Sequence, residues 1–174
     1  MANLPVPTLV PESPGNYITS ALWAANVYNS QTFLLNPPMW EVWQSVGQGN
    51  VATSTAVQIT FTSVTTDSYS AYSTATSTYT VPLAGWYWIN SSVHWASNTA
   101  GIRYTRIYQN GIGTSTMAST SGGSGVVSAS IGGPVLCAAG DTLQIWGYQS
   151  SGGALAPQSG GGFTSWFAGY WMHA

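Results

Sequence analysis

Lysine is absent from this chain. Its ionisable complement is two arginines, four carboxylates and two histidines in 174 residues, a formal net charge of -2. An ordinary soluble domain is about a quarter charged, so Ser, Thr, Asn, Gln and backbone groups must carry solubility, or partners must cover the surface. Without clustered Lys and Arg there is no footprint for nucleic-acid phosphates and no polybasic membrane signal. The expected partners therefore exclude nucleic acid and membrane.

Cysteine is nearly absent too. Cys137 stands alone, which rules out an internal disulfide and a cysteine-based metal site and suits a small buried hydrophobe. No apolar run reaches the roughly 20 residues needed to span a bilayer. The start MANLPVPTLVPESPG has neither the basic start nor the apolar stretch of a secretion signal. Synthesis in the cytoplasm without the usual export route is the expectation, and the sequon Asn90-Ser91-Ser92 then carries little meaning.

Catalytic spacing is missing as well. There is no Gly-x-Ser-x-Gly elbow, no Gly-Lys-Ser phosphate loop and no calcium-loop pattern. Glu12, Glu41, Asp67 and Asp141 are scattered over an arm, a strand start, a loop and a turn, with His94 and His173 as the histidines. A triad would draw on His94, Asp141 and a serine, and an ion site on three copies of one His or Asp about a symmetry axis, with His94 the first candidate. The plainer readings are a hydrogen-bonded imidazole and, for Asp141, a turn cap. The protein is expected to be no enzyme and to need no cofactor or metal.

What is present is aromatic, small and polar. In GWYWINSSVHW, an extended chain points Tyr87, Ile89, Ser91, Val93 and Trp95 one way and Trp86, Trp88, Asn90, Ser92 and His94 the other. FTSWFAGYWM likewise alternates Phe163, Ser165, Phe167, Gly169 and Trp171 against Thr164, Trp166, Ala168, Tyr170 and Met172. Both faces of these strands carry rings. One face can be core, and the second needs a partner, which identical copies about an axis would supply. Such patterning predicts a homotrimer whose isolated chain is unstable.

Residues 1–38 read differently. Pro5, Pro7, Pro11 and Pro14 favour an extended, polyproline-like arm, with Leu4, Val6, Leu9 and Val10 as apolar anchors. A short helix is expected over 19–35, capped by Thr19 or Ser20, ended by Asn36-Pro37-Pro38, and presenting Leu22 and Trp23 to the same partner. From 39 to 174 the vocabulary is that of β-sheet. Strands are expected at 40–46, 56–61, 77–81, 85–95, 101–109, 113–119, 126–131, 142–148 and 163–172, with a hairpin at Asn110-Gly111 and a turn at Ala139-Gly140-Asp141. The glycine- and serine-rich stretches 119–125 and 150–162 are expected as loops. This spacing describes an all-β, antiparallel jelly-roll sandwich rather than βαβ units. Arg103 and Arg106 fall on opposite faces of one strand. At least one guanidinium must then lie on a packed face, among carbonyls, a carboxylate or rings, and structural pairing at a subunit contact is the expected role.

TYTVPLAGWYWINSSVHW, RIYQNG, PVLCAAGDTLQIWGYQ and SWFAGYWM, taken in order over about 77–172, resemble the C1q/TNF-like head domains. The resemblance implies a ten-stranded jelly-roll trimer with an aromatic-rich sheet at the threefold axis. It implies trimer-interface or core positions for Trp86, Trp88, Tyr104, Trp166 and Tyr170, joined by Arg106, and turn positions for Gly85, Gly140 and Asp141. The chain has no collagen-like stalk and no carboxylate-rich calcium loop, so complement- or cytokine-like signalling is not implied. The start MANLPVP, followed by a short segment ending FLLNPP, gives residues 1 to about 50 a resemblance to short structural proteins of tailed bacteriophages of actinobacteria, described as minor tail, head-fibre or decoration proteins. That resemblance implies a virion component, made in the host cytoplasm, anchored on capsid or tail proteins by its arm. The alternative is a receptor- or glycan-binding fibre head for a host-surface glycan.

Overall fold

In the computed structural model, residues 5–11, 15, 17–160 and 162–174 are described. Leu4, Glu12 and Pro14 lie outside the described residues. The chain enters through a helical segment in which α1 (Ser20–Trp23) and α2 (Asn29–Leu35) are joined by a π-helical stretch at Ala24–Tyr28. Thr19 caps it, its hydroxyl accepting from the Leu22 amide at 3.2 Å, and Asn36 ends it before the two prolines. The expected boundaries hold.

Two antiparallel sheets follow. The first has the order β3 (Ser63–Asp67), β1 (Met39–Trp43), β13 (Trp166–His173), β6 (Gly85–Trp95), β9 (Val127–Cys137). The second has the order β4 (Tyr72–Ser73), β5 (Thr78–Thr80), β10 (Thr142–Gln149), β7 (Asn98–Gln109), β8 (Ile112–Gly123). Strand β2 (Thr55–Gln58) also pairs with β10, and β11 (Ser159–Gly160) pairs with β12 (Phe163–Thr164).

The core lies between the sheets. Tyr87, Ile89, Val93 and Trp95 of β6 meet Trp40, Val42 and Phe167 on one side and Ile107, Leu143 and Ile145 on the other, all essentially inaccessible. Alternation separates this face from the other, and the structure shows that it is the interior one. Trp40 is its central ring, stacked on Tyr79 with centroids 3.6 Å apart and edge-on to Phe167 at 5.4 Å. Gly169 is required beneath it, since a Cβ there would collide with the indole. Cys137 is buried, and desolvation raises its thiol pKa to about 12.

The structure revises several strand boundaries. The last strand begins at Trp166, not 163, so Phe163 belongs to the small β11–β12 pair and is exposed. β8 runs to Gly123 and β9 to Cys137, converting most of the expected 119–125 loop into strand. Gly132, Gly133 and Pro134 hid the extension. β9 is an edge strand, where a residue without an N–H costs no ladder bond.

The hairpin at Asn110-Gly111 forms with φ of 53° and 77°, but it is more than the exposed turn expected of it. Asn110 donates to an Asp141 carboxylate oxygen at 2.8 Å and accepts from the Thr142 amide at 2.9 Å. Asp141 also accepts from Gln109 Nε2 and, as the turn-cap reading required, from the Ala138 amide. Asn110→Ala should therefore cost about 2 kcal/mol, combining lost hydrogen bonds with a left-handed backbone alanine tolerates poorly; chemical denaturation measures it. The bonds from Asn110, Ala138 and Gln109 hold the Asp141 pKa below its ordinary value. Their contribution is full above that value, about 3.8, and is lost as pH falls through the lower folded one. Asp141→Asn should flatten this acid limb of the stability profile.

Candidate assembly face

Since β6 and β13 bury one set of alternate residues, the other set stands on the outside of the first sheet. Register sets them in rows. Met39, Tyr170, Trp88 and Pro134 cross four strands in one row; Trp43, Trp166, Ser92 and Ser130 form another. Trp86 and Leu136 flank the first row. Met39, Trp43, Trp86, Leu136 and Tyr170 are 42%, 37%, 36%, 58% and 47% exposed, with Trp88 and Trp166 half-buried. Glu41 is the carboxylate on this face. Glu41, Ala168, Asn90 and Gly132 form the row between the two, so the exposed apolar surface is concentrated in the first row with Trp86 and Leu136, a cluster of large side chains uncommon on a protein that stays monomeric.

Six positions were expected in the core or at a trimer contact, and the structure separates them. None is in the core. Trp86, Trp88, Trp166 and Tyr170 share the outside of the first sheet, whereas Tyr104 and Arg106 lie on the outside of the second. One flat contact cannot hold both sets. Alternation gave each strand's two faces correctly, but nothing in a linear pattern says which sheet a strand joins. On the second sheet, Tyr104 stacks on Tyr148 at 4.7 Å and Tyr108 on Trp146 at 4.6 Å. Arg106 donates to the Thr114 and Gly113 carbonyls at 2.6 and 2.9 Å.

Arg103 is the buried guanidinium that spacing required. It is inaccessible to solvent and donates to the carbonyls of Ala100, Asn98 and Ile102 at 2.8, 3.0 and 3.3 Å. Burial lowers its pKa. It sits within the subunit, at one end of the sandwich.

His94 is held at Nδ1 by Ser128 at 2.7 Å and at Nε2 by Ser92 at 3.4 Å, and Ser92 bonds Ser130 in turn. Burial lowers the His94 pKa. Asp141 belongs to the opposite end of the sheet: Gly85 pairs with Cys137, four residues before Asp141, and His94 lies nine residues further along β6, about 30 Å away. The triad does not assemble. Asp67 caps its own loop, accepting from the Tyr69 and Tyr72 amides. Among the described residues no group of three or more His, Cys, Asp or Glu converges as a metal site, and no helix is long and apolar enough to cross a membrane.

The arm is not free-standing. Asn26, in the π-helical stretch, accepts from the Val10 amide at 2.8 Å and donates to the Val10 carbonyl at 3.1 Å, clasping the arm as a strand would. Val6 is half-buried, while Leu9 and Val10 are 67% and 44% exposed. Phe33 anchors the helix through an edge-on contact with Trp171 at 5.1 Å. Leu22 is half-buried, and Trp23, Tyr28, Leu34 and Leu35 remain exposed.

No family model matches the sequence, and no curated protein matches it. Solved structures do. The globular domain of zebrafish complement 1qA superposes with a TM-score of 0.57 at 15% identity, covering 78% of this chain and 98% of that one. The Eiger TNF of S. frugiperda gives a TM-score of 0.58 at 10% identity, covering 79% and 95%. With two antiparallel sheets in this strand order and a short N-terminal helix, the chain has the jelly-roll fold of the C1q and TNF globular domains.

Proposed function

We propose that this protein is a structural component of a tailed-phage virion, a homotrimeric decoration, head-fibre or minor tail protein. Its first-sheet outer face packs about a threefold axis, and its arm and helix attach it to capsid or tail proteins. The observation that carries the assembly is the row Met39, Tyr170, Trp88 and Pro134 with its flanking Trp86 and Leu136, joined on the same face by Trp43 and Trp166 in a second row. Threefold symmetry follows from the resemblance to C1q/TNF-like heads, and the virion role from the resemblance of the first 50 or so residues to phage structural proteins. Attachment is supported by the apolar residues that the helix leaves uncovered, Trp23, Leu34 and Leu35, since a surface this poor in charge has little else with which to hold a partner.

Immunogold labelling of intact virions tests the role, with label expected at regular positions on the capsid or tail. Absence of label from virions that contain every other structural protein contradicts it. A variant with Leu9, Trp23 and Leu35 changed to Ser should keep its mass and melting temperature, because all three side chains are exposed, and should lose at least tenfold in binding to particles lacking the protein. Full binding by that variant assigns attachment to the jelly roll.

A further inference from the structure

A cleft lies at the edge of the sandwich, between β2 and β10 of the second sheet and the segments adjoining β1 and β3 of the first. Its volume is about 580 Å³, within the usual range for small-molecule sites. Its floor is the run of outward residues Gln58, Thr60 and Thr62, which alternate with the buried Ile59 and Phe61. The loop at Val46 and Gly47 makes one wall, the turn 74–77 the other, and Gln144 of β10 closes the end.

Hydrogen bonds fix these walls. Gln48 holds the loop to the floor, accepting from the Thr60 amide at 3.0 Å and donating to the Gln58 carbonyl at 2.9 Å. Thr62 Oγ1 accepts from the Ser45 and Val46 amides, both at 3.2 Å. Across the cleft, Gln58 donates to the Thr76 and Ser77 carbonyls at 2.7 and 3.0 Å. Ser77, buried, adopts a left-handed φ of 48° while its hydroxyl accepts from the Phe61 amide at 3.0 Å. A non-glycine residue in that region is retained where surrounding contacts over-determine it, often at binding sites. Gln144 donates to Thr78 and accepts from the Trp146 indole N–H, which sets the Trp146–Tyr108 ring stack next to this lining residue.

Lining chemistry selects the ligand. The cleft presents hydroxyls, carboxamides and backbone groups, with no charged side chain among its lining residues. A phosphate, sulfate, sialic acid or carboxylate would find no cation to pair with, and a metal ion no carboxylate. An apolar peptide or lipid would find Val46, Ala75 and threonine methyls but no large apolar side chain to pack against. Preoriented hydroxyls and amides next to an aromatic stack complement a molecule that is neutral, dense in hydroxyls and apolar on its C–H faces. We infer that the cleft bounded by Gln58, Thr60, Thr74 and Gln144, beside Trp146, is a binding site for a neutral saccharide. Its lining runs from β2 and β10 of the second sheet to the segments that follow β1 and precede β3 of the first, and the inference does not depend on the assembly proposed above.

Saturation-transfer NMR on the full chain tests this. The probes are the methyl pyranosides of glucose, galactose, mannose and N-acetylglucosamine, with N-acetylneuraminic acid and glucose 6-phosphate as charged controls. Transfer to at least one neutral pyranoside is expected and none to the charged sugars. Ala75→Trp and, separately, Thr74→Arg place a large side chain over the cleft from exposed positions and should reduce that transfer at least fivefold. Met117→Ala, exposed on the same sheet away from the cleft, should leave it unchanged. The inference is overturned if no neutral pyranoside receives transfer, if a charged sugar receives as much, or if the signal survives in either occluding variant that melts as the parent does. Light scattering on the same samples reports assembly separately.

Discussion

Replacing Trp88 and Trp166 together with Ala is expected to convert the native assembly into a folded single chain. Both indoles stand on the outside of the first sheet, half-buried within their own subunit, and the interior between the sheets is complete without them. Because each is half-buried already, its replacement removes from the contact in every copy roughly half of the 1.5–3 kcal/mol that full burial of a large apolar side chain contributes. Across three copies that raises the dissociation constant at least roughly a thousandfold. Thermal unfolding of the dissociated chain should remain cooperative. The alternating rings suggest a chain unable to stand alone, whereas the closed core of Trp40, Tyr87, Ile89, Ile107 and Phe167 is the reason to expect that folding survives the loss of assembly. Loss of folding together with loss of assembly would show that the two are coupled after all.

Trp40→Ala is expected to have the largest effect on the fold itself. Trp40 is 1% exposed, stacks on Tyr79, meets Phe167 edge-on and covers Gly169. Truncating a ring so placed leaves a cavity no neighbour can fill without leaving its rotamer, at about 3–5 kcal/mol. Against a usual total of about 5–15 kcal/mol, that is a large share, and the melting temperature should fall by roughly 6–20 °C in a domain of this size. Calorimetry on the variant measures it. A shift as small as that from Met117→Ala, an exposed substitution, would remove Trp40 from the centre of the core.

Alternation in GWYWINSSVHW divided the residues into two faces, because the period of a strand is fixed by its pleat, but which face is interior came from the packing of the second sheet. Thr19, Asn36 and Asn110-Gly111 were equally legible, since caps and tight turns use few residue types for local reasons. The rest depended on contacts far apart in the chain. Pro134 reads as the end of a strand unless β9 is known to lie at an edge. Tyr104 and Trp88 look alike until β7 and β6 are known to belong to different sheets. Asn110 looks expendable until Asp141, 31 residues on, is seen to hold it. The saccharide cleft draws on Val46, Gln58, Thr74 and Gln144, four segments that no spacing rule connects, and its neutral lining follows from a scarcity of charge that the composition showed at once.

The central claim, that the outer face of the first sheet is an assembly interface, meets its most direct test in the mass of the native protein by light scattering after size-exclusion chromatography at micromolar concentration. The chain is 18.3 kDa, so a trimer has a mass of about 55 kDa, and that is the predicted value, falling to the single-chain mass in the Trp88→Ala, Trp166→Ala variant. A native protein that is folded and elutes with a mass of 18.3 kDa contradicts the claim.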